Sequence, residues 1–195
     1  MNLVIAETML RAYASLESMA EQIDRLVYRR AVLTHSLKSD CVCLGAERQV
    51  EEIIKLMNKK NALINLKITT DEILSALGDE SREILVARYV TKEDRDAVTG
   101  RLGLSVRTYF RRLEKAMKTF ACECCARGCD EKWFAENYFD QSWLKNLYRA
   151  VFDKKFDGAK KAASAGLSEK IQDIGGVDVR HVFGSWRTGF FAAVF

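Results

Sequence analysis

The chain has 195 residues and contains no proline. At the ordinary usage of near 5%, a chain of this length would carry about ten prolines. Because proline is frequent in turns, linkers and strand edges, its absence argues against a loop-rich β-sandwich and against a proline-rich linker or tail. The absence favours helices joined by short turns, and we therefore expect an all-α fold.

Histidine is also scarce, since the chain has only His35 and His181, in unrelated sequence contexts. The sequence has no Gly-rich phosphate loop, no His-Glu-x-x-His motif and no clear pairing of a nucleophile with a base. We therefore do not expect an enzyme, and no cofactor is predicted.

Long apolar runs are missing as well, since none approaches the roughly 20 residues of a membrane-spanning helix. The first residues, Met1 to Glu7, lack the basic region of a signal peptide. The six cysteines form two local groups rather than the dispersed framework of a disulfide-rich secreted domain. We expect a cytoplasmic protein that is not in the membrane.

The N-terminal part has apolar residues in two rows spaced by seven, with Arg30 as the exception: Ile5, Ala12, Met19, Leu26, Leu33 and Met9, Leu16, Ile23, Leu37. The spacing predicts a long amphipathic helix with a narrow apolar seam. A second helical pattern runs from Ala46 to about Leu66, so residues 1–68 are predicted to form an antiparallel hairpin. The seam either packs within the chain, which we favour, or joins two copies in a homodimer.

Charge is distributed unevenly along the chain. The whole chain has a formal net charge of only +4. Residues 71–96 contain eight acidic and four basic residues, whereas residues 97–121 contain six basic residues and one acidic residue, a local charge of +5. The basic window predicts a binding site for an acidic partner.

The same region has start and stop signals for three short helices. Asp79 is predicted to cap the first helix, Asp94 the second and Ser105 the third. Gly103 supplies the residue that tolerates positive φ where the second helix ends. We therefore predict a helix-turn-helix domain over residues 69–121.

The third helix, from Ser105 to about Phe120, is predicted to be the recognition helix. Its inner face is expected to consist of Tyr109, Leu113, Ala116, Met117 and Phe120. Docking of that face leaves outward-facing residues that suit the major groove of duplex DNA, namely Val106, Arg107, Phe110 and Arg111. The residues predicted to contact phosphates are Arg101, Ser105, Arg112, Lys115 and Lys118.

The residues around the predicted recognition helix also resemble a known DNA-binding motif. The run Leu102-Gly-Leu-Ser-Val-Arg-Thr-Tyr-Phe-Arg-Arg-Leu-Glu-Lys-Ala-Met resembles the DNA-binding helix-turn-helix of region four of bacterial sigma factors. Within it, Arg107-Thr-Tyr-Phe-Arg is closer still to the ArpU- and RinA-like phage transcription regulators. The resemblance covers about 40 residues, and it implies a DNA-binding regulator of phage or prophage type. As departures, Arg95 and Arg101 stand where such second helices usually carry apolar residues.

Residues 122–195 lie outside the resemblance and are predicted as a helical extension. Aromatic residues between Trp133 and Phe152 are spaced as in a helical core, and Asp140 is a candidate cap for a helix that ends near Phe156. Four cysteines, Cys122, Cys124, Cys125 and Cys129, are enough for a zinc site, to which Cys41 and Cys43 could contribute. The usual Cys-x-x-Cys spacing is missing, and we do not predict a metal.

Two other functions stay open on the sequence alone. One is a sigma-like adaptor whose main partner is RNA polymerase, with weak DNA contact. The other is a metal- or redox-responsive structural module, in which Arg127 would lower the pKa of a nearby thiol.

Overall fold

The computed structural model describes residues 3–36 and 42–155, and the side chains of residues 33–36 and 42–46 are not part of that description. The described chain is entirely helical apart from its turns, which confirms the all-α prediction. Its helices are α1 (Leu3–Ser36), α2 (Val42–Ala76), α3 (Asp79–Leu85), a π-helical continuation of α3 (Val86–Val90), α4 (Arg95–Leu102), α5 (Val106–Ala126), α6 (Glu131–Tyr138) and α7 (142–155). Among the described helices, none has the length and apolar character needed to cross a membrane.

Helices α1 and α2 form the predicted hairpin, but α2 is longer than its sequence pattern indicated. It begins at Val42 and continues to Ala76, past the expected end near Leu66. The extension is explained by packing, because Thr70, Ile73 and Leu74 continue the buried face beyond Leu66. The Thr70 hydroxyl donates to the Leu66 carbonyl at 2.7 Å, so this polar group is satisfied inside the core.

The apolar seam of α1 packs within its own chain over its first half. Ile5, Met9 and Leu16 are buried in one core with residues of α2, α5 and α6, while Met19 and Ile23 pack against its edge. Further along, Leu26 is 45% exposed. Leu33 and Leu37 lie outside the described side chains. Intramolecular packing, the favoured alternative, is confirmed for this part of the seam.

The predicted boundaries at residues 68 and 121 fall inside α2 and α5. A shared core extends across both positions and includes Leu63, Phe120 and Phe134. Residues Met1–Asp153 form one compact unit, which spans both predicted boundaries. The hairpin, the helix-turn-helix and the first part of the extension therefore belong to one unit.

The aromatic residues of α6 and α7 line this core, as predicted. Phe134 and Tyr148 are buried with their ring centroids 6.0 Å apart, and the Tyr148 hydroxyl donates to Glu131 at 2.5 Å. Helix α7 begins at residue 142, so Gln141, rather than Asp140, immediately precedes it. The expected end at Phe156 and the rest of the extension lie outside the described residues.

Candidate nucleic-acid interface

Of the three helix caps predicted within residues 69–121, those at Asp94 and Ser105 are observed. The Asp94 carboxylate accepts from the Asp96 backbone N–H at 3.1 Å, and α4 runs from Arg95 to Leu102, between the predicted cap and Gly103. The prediction for Asp79 is wrong, because Gly78 occupies the N-cap position and makes no side-chain cap bond. Asp79 is instead the first helical residue, where its charge favours the helix dipole without capping a backbone N–H.

The turn between α4 and α5 is built as the sequence predicts. Gly103 adopts φ 61° and ψ 33°, in the left-handed region that favours glycine. The next backbone N–H, that of Leu104, donates to the Thr99 carbonyl at 3.0 Å and thereby satisfies the end of α4. Ser105 then accepts from the Thr108 backbone N–H at 3.2 Å, which starts α5 at Val106.

The inner face of α5 is anchored along two clusters. Near its start, Tyr109 is only 2% exposed and packs with Ile84 and Val98 in a small core between α3, α4 and α5. Further along, Met117 and Phe120 enter the main core. Because both halves of the inner face are buried, the outward direction of the opposite face is fixed.

The residues predicted to contact DNA bases lie together on that opposite face. Arg107 and Arg111 are exposed, and Val106 and Phe110 are 42% and 51% exposed. The Phe110 ring packs in a T-shaped arrangement with the ring of Tyr109, at a centroid distance of 5.4 Å. The first turns of α5 thus present two guanidinium groups beside two apolar side chains.

Three of the predicted phosphate-contacting cations are engaged by carboxylates of the same chain. Arg101 lies 3.2 Å from Glu83 and 2.9 Å from Glu93, and Arg112 pairs with Glu80. Lys118 pairs with Glu114 at 2.6 Å, and this hydrogen bond lowers the pKa of the Glu114 carboxyl. The sequence indicated an acidic window beside the basic one, but not which charges would meet.

The other three cations form a continuous row. Arg107, Arg111 and Lys115 have no carboxylate within ion-pair distance among residues 3–36 and 42–155. They are spaced by four residues, so they occupy successive turns on one side of α5 and cover about 12 Å of its length. We call Arg107, Arg111 and Lys115 the free cation row.

A groove adjoins the free cation row where α5 passes the start of α3. It has a volume of about 390 Å³ and is lined by Glu80, Ser81, Ile84, Arg111, Arg112 and Lys115. The Arg112–Glu80 ion pair lies along it, so its wall carries both signs of charge. Sequence patterns did not predict that Glu80 and Ser81 would be neighbours of the recognition helix, because this proximity depends on how α3 packs on α5.

The cysteines in the last turns of α5 and just after it are not gathered into a metal site. Cys124 and Cys129 are buried, whereas Cys122 and Cys125 are exposed, and all four are free. The described part of the chain has no group of three or more His, Cys, Asp or Glu side chains placed to hold a metal ion. Cys41 and the Cys43 side chain, named above as further ligands, lie outside the description.

The buried thiols are also unsuited to act as thiolates. Burial raises the pKa of Cys124 to about 12 and also raises that of Cys129, which outweighs the opposite effect of Arg127. The guanidinium of Arg127 itself bonds to Glu72 at 3.1 Å. The expectation that Arg127 lowers a thiol pKa in this cluster is therefore not met for these two residues.

Comparison with known proteins gives no further support in either direction. No family model, no curated protein and no solved structure matches the chain. The resemblance to sigma region four and to phage regulators therefore stays a prediction.

Proposed function

We propose that the protein is a sequence-specific regulator of transcription that binds double-stranded DNA in the cytoplasm and acts by recognition rather than catalysis. The observation that carries this proposal is the free cation row on the exposed face of α5. Its three cations have no carboxylates within ion-pair distance in the described part of the chain. A row left without them, directly behind a capped helix start, suits an anionic partner.

The shape of the helix-turn-helix supports duplex DNA as that partner. A single helix fits the major groove, which is about 12 Å wide, and recognition helices enter it by their N-terminal residues. Ser105 caps α5 at that end, and Arg107 and Arg111 follow within its first two turns. Each guanidinium can donate two parallel hydrogen bonds to a guanine edge, while Val106 and Phe110 suit thymine methyl groups.

The remaining polar residues are assigned to the DNA backbone. Lys115 continues the row one turn behind Arg111, and a phosphate contact is assigned to it. Ser105 lies at the positive end of the α5 dipole. Arg101, Arg112 and Lys118 are about half exposed in their ion pairs. Exposed ion pairs contribute only about 0–1 kcal/mol, so these three cations can leave their carboxylates and bind phosphates. Breaking the ion pair costs free energy, whereas the free cation row has no ion pair to break.

The test is selection of bound sequences from a random duplex library, followed by affinity measurements on the selected site. We expect the wild-type chain to enrich a defined sequence. The double variant Arg107→Ala/Arg111→Ala should bind that site only as weakly as it binds unrelated DNA. Lys132→Ala serves as a control, because Lys132 is an exposed cation on α6, away from the helix-turn-helix.

Two results would contradict the proposal. One is equal affinity of the wild type and the double variant for the selected site. The other is the absence of any enriched sequence together with tight binding to RNA polymerase, which would favour the adaptor function instead.

A further inference from the structure

The outer face of α2 carries a second apolar seam that the DNA-binding proposal does not use. Its members alternate in steps of four and three residues: Val50, Ile54, Met57, Asn61, Ile64 and Ile68. The five apolar members are between 38% and 53% exposed, which is unusual for such large side chains arranged in one line. We call these six residues the α2 seam.

The α2 seam is distinct from the face of α2 that packs inside the chain. Buried residues of α2, such as Leu63, Leu66 and Ile73, lie on the opposite side and contribute to the main core. Ion pairs with α1 lie beside that buried side. The Lys60 ammonium donates to the Asp24 carboxylate at 2.7 Å, and the Lys67 ammonium donates to the Glu17 carboxylate at 2.9 Å. Helix α2 is therefore already ordered by α1 and leaves its second seam exposed to solvent.

We propose that the α2 seam is the interface of a homodimer, in which the α2 helices of two copies pack in parallel and in register. Steps of four and three residues are the repeat of a coiled coil. In the heptad notation abcdefg, Ile54, Asn61 and Ile68 occupy a positions, and the intervening seam residues occupy d positions. The d residues Val50, Met57 and Ile64 include no leucine, so the number of strands is specified by Asn61, because a single asparagine at an a position fixes register and oligomeric state.

Asn61 indicates both the partner and the orientation. In a parallel pair, each a residue faces the a residue of the other helix, so two copies of Asn61 can hydrogen-bond to each other. In an antiparallel pair, Asn61 would face the d residues Met57 or Ile64 and its amide would be buried without a partner, which is costly. A second copy of this chain supplies the matching asparagine in the correct layer.

The charges beside the α2 seam are compatible with this arrangement. In a parallel dimer, each g residue approaches the following e residue of the other copy. These contacts would place Lys60 near Asn65 and Lys67 near Glu72 of the second copy. No such contact sets two like charges against each other. Because α1 has already ordered α2, association also avoids much of the entropic cost of folding a helix.

The dimer does not depend on the proposed function, since it is measured without DNA. If both proposals hold, the dimer brings two copies of α5 together, and a two-fold symmetric target sequence follows.

The experiment is sedimentation equilibrium of the full chain and of seam variants. For the wild type, we expect a mass twice the 22.2 kDa of one chain at about 10 µM. Ile54→Glu/Ile68→Glu should raise the dissociation constant by about a hundredfold or more, because it buries carboxylates in the interface. Lys55→Glu, an exposed change on α2 outside the seam, should leave the mass unchanged. Circular dichroism verifies that all variants keep their helices.

Asn61→Ile tests the role of the central layer. We expect it to tighten self-association and to add species larger than a dimer, because it removes the polar residue that specifies two strands, and isoleucine at both a and d positions favours more strands. A monomeric wild type at about 10 µM would overturn the proposal, including the case in which residues 156–195 cover the seam. An unchanged mass and dissociation constant in both Asn61→Ile and Ile54→Glu/Ile68→Glu would also overturn it.

Discussion

Two adjacent arginines in α5 differ in their surroundings because successive helical residues point about 100° apart. Arg112 is turned toward α3 and pairs with Glu80, whereas Arg111 lies in the free cation row. Both residues have the same chemistry, and only their direction relative to α3 separates them. Residue type alone therefore predicts six cations as candidate DNA contacts, whereas the packing of the helices determines which of them are free.

The four described cysteines provide a prediction at the same scale. At about pH 8, iodoacetamide should modify Cys122 and Cys125 rapidly, because both are exposed. Cys124 should react only after unfolding, since it is buried and its pKa is raised to about 12. Peptide mapping by mass spectrometry distinguishes the sites, with urea-unfolded protein as the control. Modification of Cys124 in the native protein as fast as Cys125 would contradict the described packing.

At the scale of elements, the unit formed by α4, the turn and α5 could largely be predicted from the sequence. Asp94, Gly103 and Ser105 act through bonds to residues only a few positions away, so their roles depend on local sequence. Asp79 was assigned wrongly because the helix starts one residue earlier than the capping pattern suggests. A one-residue shift is enough to turn a cap into a first-turn residue.

Two glycines close to each other in this element should respond oppositely to the same substitution. A Cβ added at either Gly100 or Gly103 would meet no atom within 4 Å, so only the backbone conformation matters. Gly100→Ala, within α4, should stabilise the protein by about 0.5–1 kcal/mol. Gly103→Ala should destabilise it by about 1–2 kcal/mol, because φ there is 61°.

Urea unfolding of the two alanine variants measures both free-energy changes against the wild type. Shifts of the same sign, or a stabilising Gly103→Ala, would show that the turn does not hold the left-handed conformation in solution.

At the scale of the whole molecule, the sequence pattern did not predict that the hairpin, the helix-turn-helix and the start of the extension share one core. The predicted boundaries followed changes in composition, whereas the core is shared by α1, α2, α5 and α6. Long-range packing of this kind cannot be read from local periodicity, because the same apolar spacing suits any helix partner. The ion pairs of Arg101 and Arg112 were missed for the same reason, since their carboxylates belong to other elements.

Burial of several ionisable groups predicts lower stability in alkaline solution. The pKa values of Tyr13, Cys124 and Tyr138 are each raised to about 12, chiefly by burial. As the pH rises past about 9, these groups ionise in the unfolded chain before they ionise in the folded one. The free energy of unfolding should therefore fall from about pH 9 and continue to fall toward about pH 12.

Urea unfolding at about pH 7.5 and about pH 10.5 tests this dependence. Tyr138→Phe should weaken the fall, because it removes one of the buried groups, whereas Tyr28→Phe should not, since Tyr28 is 71% exposed. Equal stability at the two pH values would contradict the described burial of these side chains.

The central claim is that the free cation row contacts DNA, and the neighbouring arginines of α5 test it most directly. The measurement compares the affinities of Arg111→Ala and Arg112→Ala for the selected duplex, at one salt concentration. Arg111→Ala should lose about 1–3 kcal/mol of binding free energy and relax the preference for one base pair. Arg112→Ala should lose less than 1 kcal/mol, because its guanidinium is held by Glu80. Equal losses, or a larger loss for Arg112→Ala, would contradict the account.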